Sequence, residues 1–268
     1  MSNLLVLSSF IFIVAVTMSM VGKGGGNFYV VILAMTNIPM HEAATTGQFI
    51  LFTASIAAMF VFQKNKSLSW TLAILIGPFT SLSAFVGGYF SHLFSSLSLK
   101  LIFAVMLFMA GIIMLISVSE NKVNKKNKHL GVITIKSGEE IYSVKLWIAL
   151  PIAILTGFSS GMVGVSGGSF LVPLMVLACG VSMHTAVGTA STLIAATAFM
   201  GFAGHAIQGD FSPHYAIPLA FVTVVGGIIG GKFSLKSKPQ NLKKLFAYTN
   251  WIAALFMIFN ALHTKGIV

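Results

Sequence analysis

A chain of 268 residues that is 56% hydrophobic and only 8% charged is not an ordinary soluble domain, where about a quarter of the residues carry charge. Its mean hydropathy of +0.94 and its recurring apolar runs of about 20 residues, enough to cross a hydrocarbon core of about 30 Å, make it an integral membrane protein with no length left for a soluble catalytic domain. The net charge of +11 comes from lysines placed mostly between apolar runs, with no aromatic-interleaved patch, so it points to topology and not to a nucleic-acid partner.

The first predicted membrane segment runs from Leu4 to Val21 and has no basic residues before it, so it is expected to be mature structure and not a cleaved signal. "MVGKGGG" (Met20 to Gly26) then interrupts it with a lysine and four glycines, and a short apolar segment follows from Asn27 to Ile38. Full-length segments are predicted over Glu42 to Phe62, Trp70 to Phe90 and Leu101 to Ser117. A lysine-rich loop comes next, in which "GVITI" and "EEIYSV" flank "KSG" as a small hairpin would. Five more segments follow: Leu146 to Val163, Ser169 to Gly180, His184 to Ile207, His214 to Phe233 and Leu245 to Leu262. Asp210 in "QGDFSP" belongs to a turn.

The second five copy the first. "MVGKGGGNFYV" (Met20 to Val30) lines up with "MVGVSGGSFLV" (Met162 to Val172), "MHEAATTGQ" (Met40 to Gln48) with "MHTAVGTAS" (Met183 to Ser191), and "VGGYF" (Val86 to Phe90) with "IGGKF" (Ile229 to Phe233). Residues 1–118 therefore form a first transmembrane repeat, 119–145 a connecting loop and 146–268 a second repeat. The lysines switch sides between the copies: Lys64 and Lys66 have no partners in the matching loop, whereas Lys100 stands against Lys232, Lys236, Lys238, Lys243 and Lys244. Placing the basic loops in the cytoplasm makes the repeats inverted, puts the central loop inside and both termini outside, and calls for an odd number of crossings per half. The pair around each glycine break then either crosses twice or forms a re-entrant hairpin. At about 1.5 Å per residue the second member, of roughly 12 residues, is too short to span.

Broken backbone at membrane depth is tolerated only where protein, water or a ligand satisfies it, and matching breaks in inverted repeats point to the substrate site of a secondary transporter. A helix starting at each break offers free N–H groups to an anion. Lys23, Gly24, Gly25, Gly26 and Asn27 in one break, and Ser166, Gly167, Gly168 and Ser169 in the other, are the candidate substrate contacts. Asn27 and Ser169 either cap their helices or hold a ligand oxygen, and Lys23 either faces the anion or snorkels to the surface. Gly87, Gly88, Gly226 and Gly227 read as close-packing positions. Gln48, Ser191 and Thr192 lie on a polar stripe that either supplies neutral hydrogen bonds to the anion or joins helices. His41 and His184 open long helices as candidate gates. Glu42 either carries a coupling proton or favours the first turn of its helix. No cysteine–histidine pair at a useful spacing, HExxH or Walker A motif is present, so neither catalysis, metal, organic cofactor nor ATP is expected. Cys179 reads as a packing residue.

"GMVGVSGGSFLVPLMVLACGVSMHTAVGTAS" (Gly161 to Ser191), and more loosely "MVGKGGGNFYVVILAMTNIPMHEAATTG" (Met20 to Gly47), resemble the TauE/SafE family of membrane proteins. The resemblance covers nearly the whole chain. It implies transport across the cell membrane, without ATP, of a small anion, typically a sulfur-containing oxyanion or organosulfonate, as in the founding members described as exporters; a proton or sodium is the candidate coupling ion. The first half departs from the pattern in having Lys23 among the glycines and Val31 where the second half has Pro173. A carboxylate carrier and an anion channel are the competing readings.

Overall fold

The computed structural model describes residues 2–36, 38–93, 95–115, 132–137, 140–209, 211 and 213–264. The first half folds as helices α1 (Ser2–Met20), α2 (Gly26–Met35), α3 (Met40–Lys64), α4 (Trp70–Tyr89) and α5 (Ser96–Leu115), with a single 3₁₀ turn at Ser91–Leu93. Strands β1 (Val132–Ser137) and β2 (Glu140–Lys145) pair antiparallel, Val132 opposite Lys145 and Ser137 opposite Glu140. The second half is α6 (Leu146–Val163), α7 (Gly168–Pro173), α8 (Met183–Ala206), α9 (Pro213–Lys236) and α10 (Pro239–Thr264). Asp210 and most lysines of the central loop lie outside the described residues.

The protein is an all-α multi-pass membrane protein. Among the described residues α3, α4, α6, α8, α9 and α10 are each long and apolar enough to cross. Large apolar side chains point outward along the bundle, with Ile74 70% and Phe221 72% exposed, a surface that a bilayer covers and water would not tolerate. Inside, small residues let the backbones meet. A Cβ on Gly161 would strike the Ala84 carbonyl, one on Gly157 that of Thr80, and one on Gly230 that of Val16. Gly87, Gly88, Gly226 and Gly227 likewise face backbone or Cβ atoms of neighbouring helices, the close approach that takes the place of hydrophobic attraction in lipid.

Packing partners are exchanged between the halves. α1 lies against α9 as α6 lies against α4, α3 against α9 as α8 against α4, and α2 against α10 as α7 against α5, while α3 meets α8 and α5 meets α10. Each half completes its core with helices of the other.

The same contacts fix helix direction. Gln48 near the start of α3 meets Gly201 near the end of α8, whereas Phe62 near the end of α3 meets Gly188 near the start of α8, so these two helices run antiparallel. Thr80 with Gly157 and Ala84 with Gly161 set α4 and α6 in the same sense, and Gly77 with Leu193 and Phe85 with Gly204 set α4 and α8 so. Consequently α6 and α8 run the same way, and the break with α7 has to bring the chain back between them. The contacts Val16 with Gly230 and Ala54 with Gly227 make the same demand on α1, α2 and α3. Both broken pairs are thus unequal hairpins with a long outgoing and a short returning arm.

The two short arms differ in detail. α2 stays α-helical for its 10 residues. In the second half Pro173, which has no N–H and crowds the carbonyl four residues back, is followed by one π-helical turn at Leu174–Ala178. Val31 at the matching place in α2 imposes no such change.

Replacing Gly161 by Val pushes a branched side chain into the α4 backbone. A loss of about 3 kcal/mol or more is expected, as for severe overpacking, seen as a large drop in thermal-unfolding midpoint in detergent. An unchanged midpoint would contradict the α4–α6 contact.

Candidate functional site

Both long arms end in the same way. Gly22 and Gly164 adopt left-handed φ of 75° and 76°. Behind them the Lys23 N–H donates to Met18 O at 2.9 Å and the Val165 N–H to Ser160 O at 3.1 Å, the six-to-one bond of a Schellman stop. A side chain at either glycine would be strained by φ and blocked by space: a Cβ on Gly22 lies 2.9 Å from Val187 Cα, and one on Gly164 lies 2.6 Å from Ala44 Cα. Ala44 and Val187 are themselves equivalent, so each break sits on the other half's long central helix.

The short arms restart after three more residues, with Gly25 and Gly167 as N-caps and no side-chain cap at either. Asn27 and Ser169 therefore do not cap their helices. They meet each other instead. Asn27 Nδ2 donates to Ser169 Oγ at 3.1 Å, and Asn27 Oδ1 accepts from the Ser166 N–H at 3.2 Å. Ser166 Oγ accepts from the Gly168 N–H at 3.1 Å. The breaks touch directly as well, since a Cβ on Gly168 would lie 2.5 Å from Gly22 O and one on Gly26 2.8 Å from Ser166 N. Leu51 of α3 and Ile194 of α8 press on this junction from the middle of their helices.

Lys23 is 1% exposed, so it does not snorkel. Its ammonium donates to Phe246 O at 2.8 Å, Thr249 Oγ1 at 2.7 Å and Asn250 Oδ1 at 2.6 Å, all on α10, and lies 4.1 Å from the centre of the Phe246 ring. Among the described residues, no carboxylate is a partner of Lys23. Asn250 Oδ1 also accepts from Ser169 Oγ at 3.1 Å. A lysine can only donate, so the Asn250 amide must turn its oxygen to Lys23, which leaves Nδ2 as the free donor. One polar chain, Asn27 to Ser169 to Asn250 to Lys23, ties both breaks to α10.

Several buried polar atoms here have no partner among the protein's own atoms: Asn250 Nδ2, Tyr29 Oη and Ser55 Oγ. Tyr29 Oη lies 2.6 Å from where a Cβ on Gly25 would stand, and Ser55 Oγ the same distance from one on Gly24. Gly24 and Gly25, at φ of 67° and 99°, carry the chain past these hydroxyls with no side chain in the way.

The polar stripe behaves differently. Gln48 Nε2 donates to Ser160 O at 3.0 Å and so clasps the end of α6, while its Oε1 finds no partner. Ser191 Oγ is spent on Val187 O of its own helix at 3.0 Å. Thr192 Oγ1 is buried and unpartnered. His41 is exposed at the start of α3, and Glu42 sits half-buried in the same first turn. His184 Nε2 is 2.9 Å from Ser237 O, on the connection between α9 and α10. None of these last three belongs to the hydrogen-bonded chain that joins the breaks.

Tyr29, Ser55, Thr249 and Asn250 are functional candidates that sequence reading passed over. "YTN" in the middle of an otherwise apolar helix was the available signal for Thr249 and Asn250. For Tyr29 and Ser55 nothing in the sequence stood out, because one hydroxyl on an apolar helix is common.

The model of the family described as sulfite exporter TauE/SafE matches residues 7–257. A "probable membrane transporter protein" of Bacillus subtilis is 24% identical over 236 residues, covering 84% of this chain and 86% of its own. A second protein of that description, from Methanocaldococcus jannaschii, is 25% identical over 263 residues and 92% of each chain. One from Xylella fastidiosa is 29% identical over 105 residues, 39% of this chain and 40% of its own. No solved structure matches the chain.

Asn27→Leu strips the buried Ser166 N–H of its acceptor and the Ser169 hydroxyl of one of its two partners. At about 1–3 kcal/mol for each polar group orphaned, the variant should unfold several degrees below the parent, while His41→Ala at the exposed helix start should not move the midpoint measurably. Equal midpoints for the two variants would remove Asn27 from the junction.

Proposed function

We propose that this chain, which belongs to the sulfite exporter TauE/SafE family and is a membrane transporter, is a secondary carrier that binds a small oxyanion where its two glycine breaks meet. The observation that carries the reading is the set of unspent donors, Asn250 Nδ2, Tyr29 Oη and Ser55 Oγ, beside a buried ammonium with no carboxylate partner. Donors and a positive charge read an anion; an oxyanion has acceptors enough for all three. Gly25 starts α2 without a side-chain cap, so the positive end of that helix adds to the same field.

The family description favours a sulfur-containing oxyanion or organosulfonate as substrate and export as direction. A compact tetrahedral oxyanion suits hydroxyl and amide donors that hold it without a second fixed charge, from which release is easy. A neutral contact from Thr192, whose Oγ1 is unpartnered, would act at the flank, whereas the free Oε1 of Gln48 is an acceptor and offers an anion no bond. His41, Glu42 and His184 are assigned no part in binding. No chemical step is assigned to the chain.

Inverted-topology repeats are part of the proposal, and the opposed run of α3 and α8 supports them. Alternating access then follows from exchanging the roles of the two halves about the junction. The lysine distribution places the central loop in the cytoplasm and the termini outside.

Thermal shift of the purified protein with sulfite, thiosulfate, sulfoacetate, sulfate and small carboxylates tests the substrate class. Stabilisation by a sulfur oxyanion or sulfonate, lost in Gly168→Val, is the expected result. Stabilisation only by carboxylates would move the substrate to the competing class. In vesicles, substrate on the far side should accelerate exchange, which a channel would not show. Tyr29→Phe, losing one hydrogen bond of about 1.4 kcal/mol, should raise KM about tenfold with little change in fold; an unchanged KM would take Tyr29 out of the site.

A further inference from the structure

Lys23 invites a question that the anion site leaves open: why is its ammonium held by α10 so completely? A lysine placed only to attract an anion would keep at least one of its three protons for it. Here every proton has a protein acceptor, Phe246 O, Thr249 Oγ1 and Asn250 Oδ1, at 2.6 to 2.8 Å. These are three neutral oxygens, one carbonyl, one hydroxyl and one amide, at the middle of a membrane-spanning helix, with the face of Phe246 closing a further side. Such a donor set is what a hard monovalent cation takes.

We propose that Lys23 is a cation carried by the chain itself, its ammonium filling a monovalent-cation site on α10, so that the protein needs no free sodium there. Three features argue for this over simple structural pairing. The charge is met by neutral oxygens and not by a carboxylate, as a small bound cation is met when the site must stay positive for an anion nearby. It occurs on one side only: the residue matching Lys23 in the second half is Val165, and those matching Phe246, Thr249 and Asn250 are Phe103, Met106 and Leu107, with no side-chain oxygen among them. A packing device inherited through duplication would be present twice. Finally, the site is wired to the opposite break, because Asn250 Oδ1 accepts from Ser169 as well as from Lys23. A cation there fixes the Asn250 amide and turns its remaining N–H groups toward the anion. The consequence for transport rests on the anion reading above; the occupancy of the cation site does not.

The test removes the tethered cation and offers free ones. Lys23→Ala, and Lys23→Val to copy the matching residue, are purified as full chains in chloride buffers of constant ionic strength, the cation being N-methylglucamine, sodium, lithium, potassium or methylammonium. The parent protein should unfold at one midpoint in all five. The variants should unfold several degrees lower in N-methylglucamine and recover, saturably and in the millimolar range, with at least one small cation. Adding Asn250→Leu should abolish the recovery. No cation response in whichever variant folds would overturn the proposal. So would selective stabilisation of the parent by sodium, or failure to recover either variant when methylammonium is present throughout production. No anionic substrate enters this measurement, so a failed anion panel and a failed cation rescue are separate results.

Discussion

Everything in this molecule is arranged around two places where a membrane helix stops and the chain turns back. Lipid offers no hydrogen bonds, so each stop must be closed by protein. Gly22 and Gly164 fold the last turn back on its own carbonyls, Asn27 then bonds the Ser166 N–H and the Ser169 hydroxyl of the opposite break, and Ser166 Oγ holds the Gly168 N–H of its own. Neither break is self-sufficient. Their mutual contact is therefore a condition of the fold and not merely a site carried on it, and the glycines are retained both for their left-handed turns and for the approach of one backbone to another.

The two halves match in packing and differ in polarity. Matching helices keep matching neighbours, down to Leu51 on Gly26 and Ile194 on Gly168. Against that regularity the polar additions are one-sided. Lys23 replaces a valine, Asn27 a serine, and α10 carries Thr249 and Asn250 where α5 is apolar. The pair α5 and α10 is thus symmetric in packing and unsymmetric in charge. Among the described residues, it is α10 that a lysine fastens to the junction.

Much of this was legible in the chain. The repeat, its offset, the glycine breaks and the shortness of the second arm were all visible, because they are written in residue types that have few other uses in membrane helices. Which way each broken pair runs was not visible, since hydropathy has no direction; the glycine contacts set α6 and α8 in the same sense, as both a double crossing and a re-entrant hairpin require. The destination of Lys23 was not visible either. Its acceptors lie more than 220 residues away in sequence, and a lone lysine beside glycines is equally compatible with reaching out to water. Asn27 and Ser169 looked like caps because local rules place them at a helix start. They became partners because a second break came within reach, a tertiary fact that outweighed the local preference.

The exchange of packing partners bears on how the protein is made. A helix of the first half such as α4 presents a row of backbone carbonyls, Thr80 and Ala84 among them, that only α6 covers, and α9 closes in the same manner on α1. When the first half has left the ribosome it has membrane segments but no finished core. The early helices must wait in the bilayer, loosely associated, until the last ones are inserted. Assembly then requires the halves to interleave, because neither half alone covers the helix faces it presents.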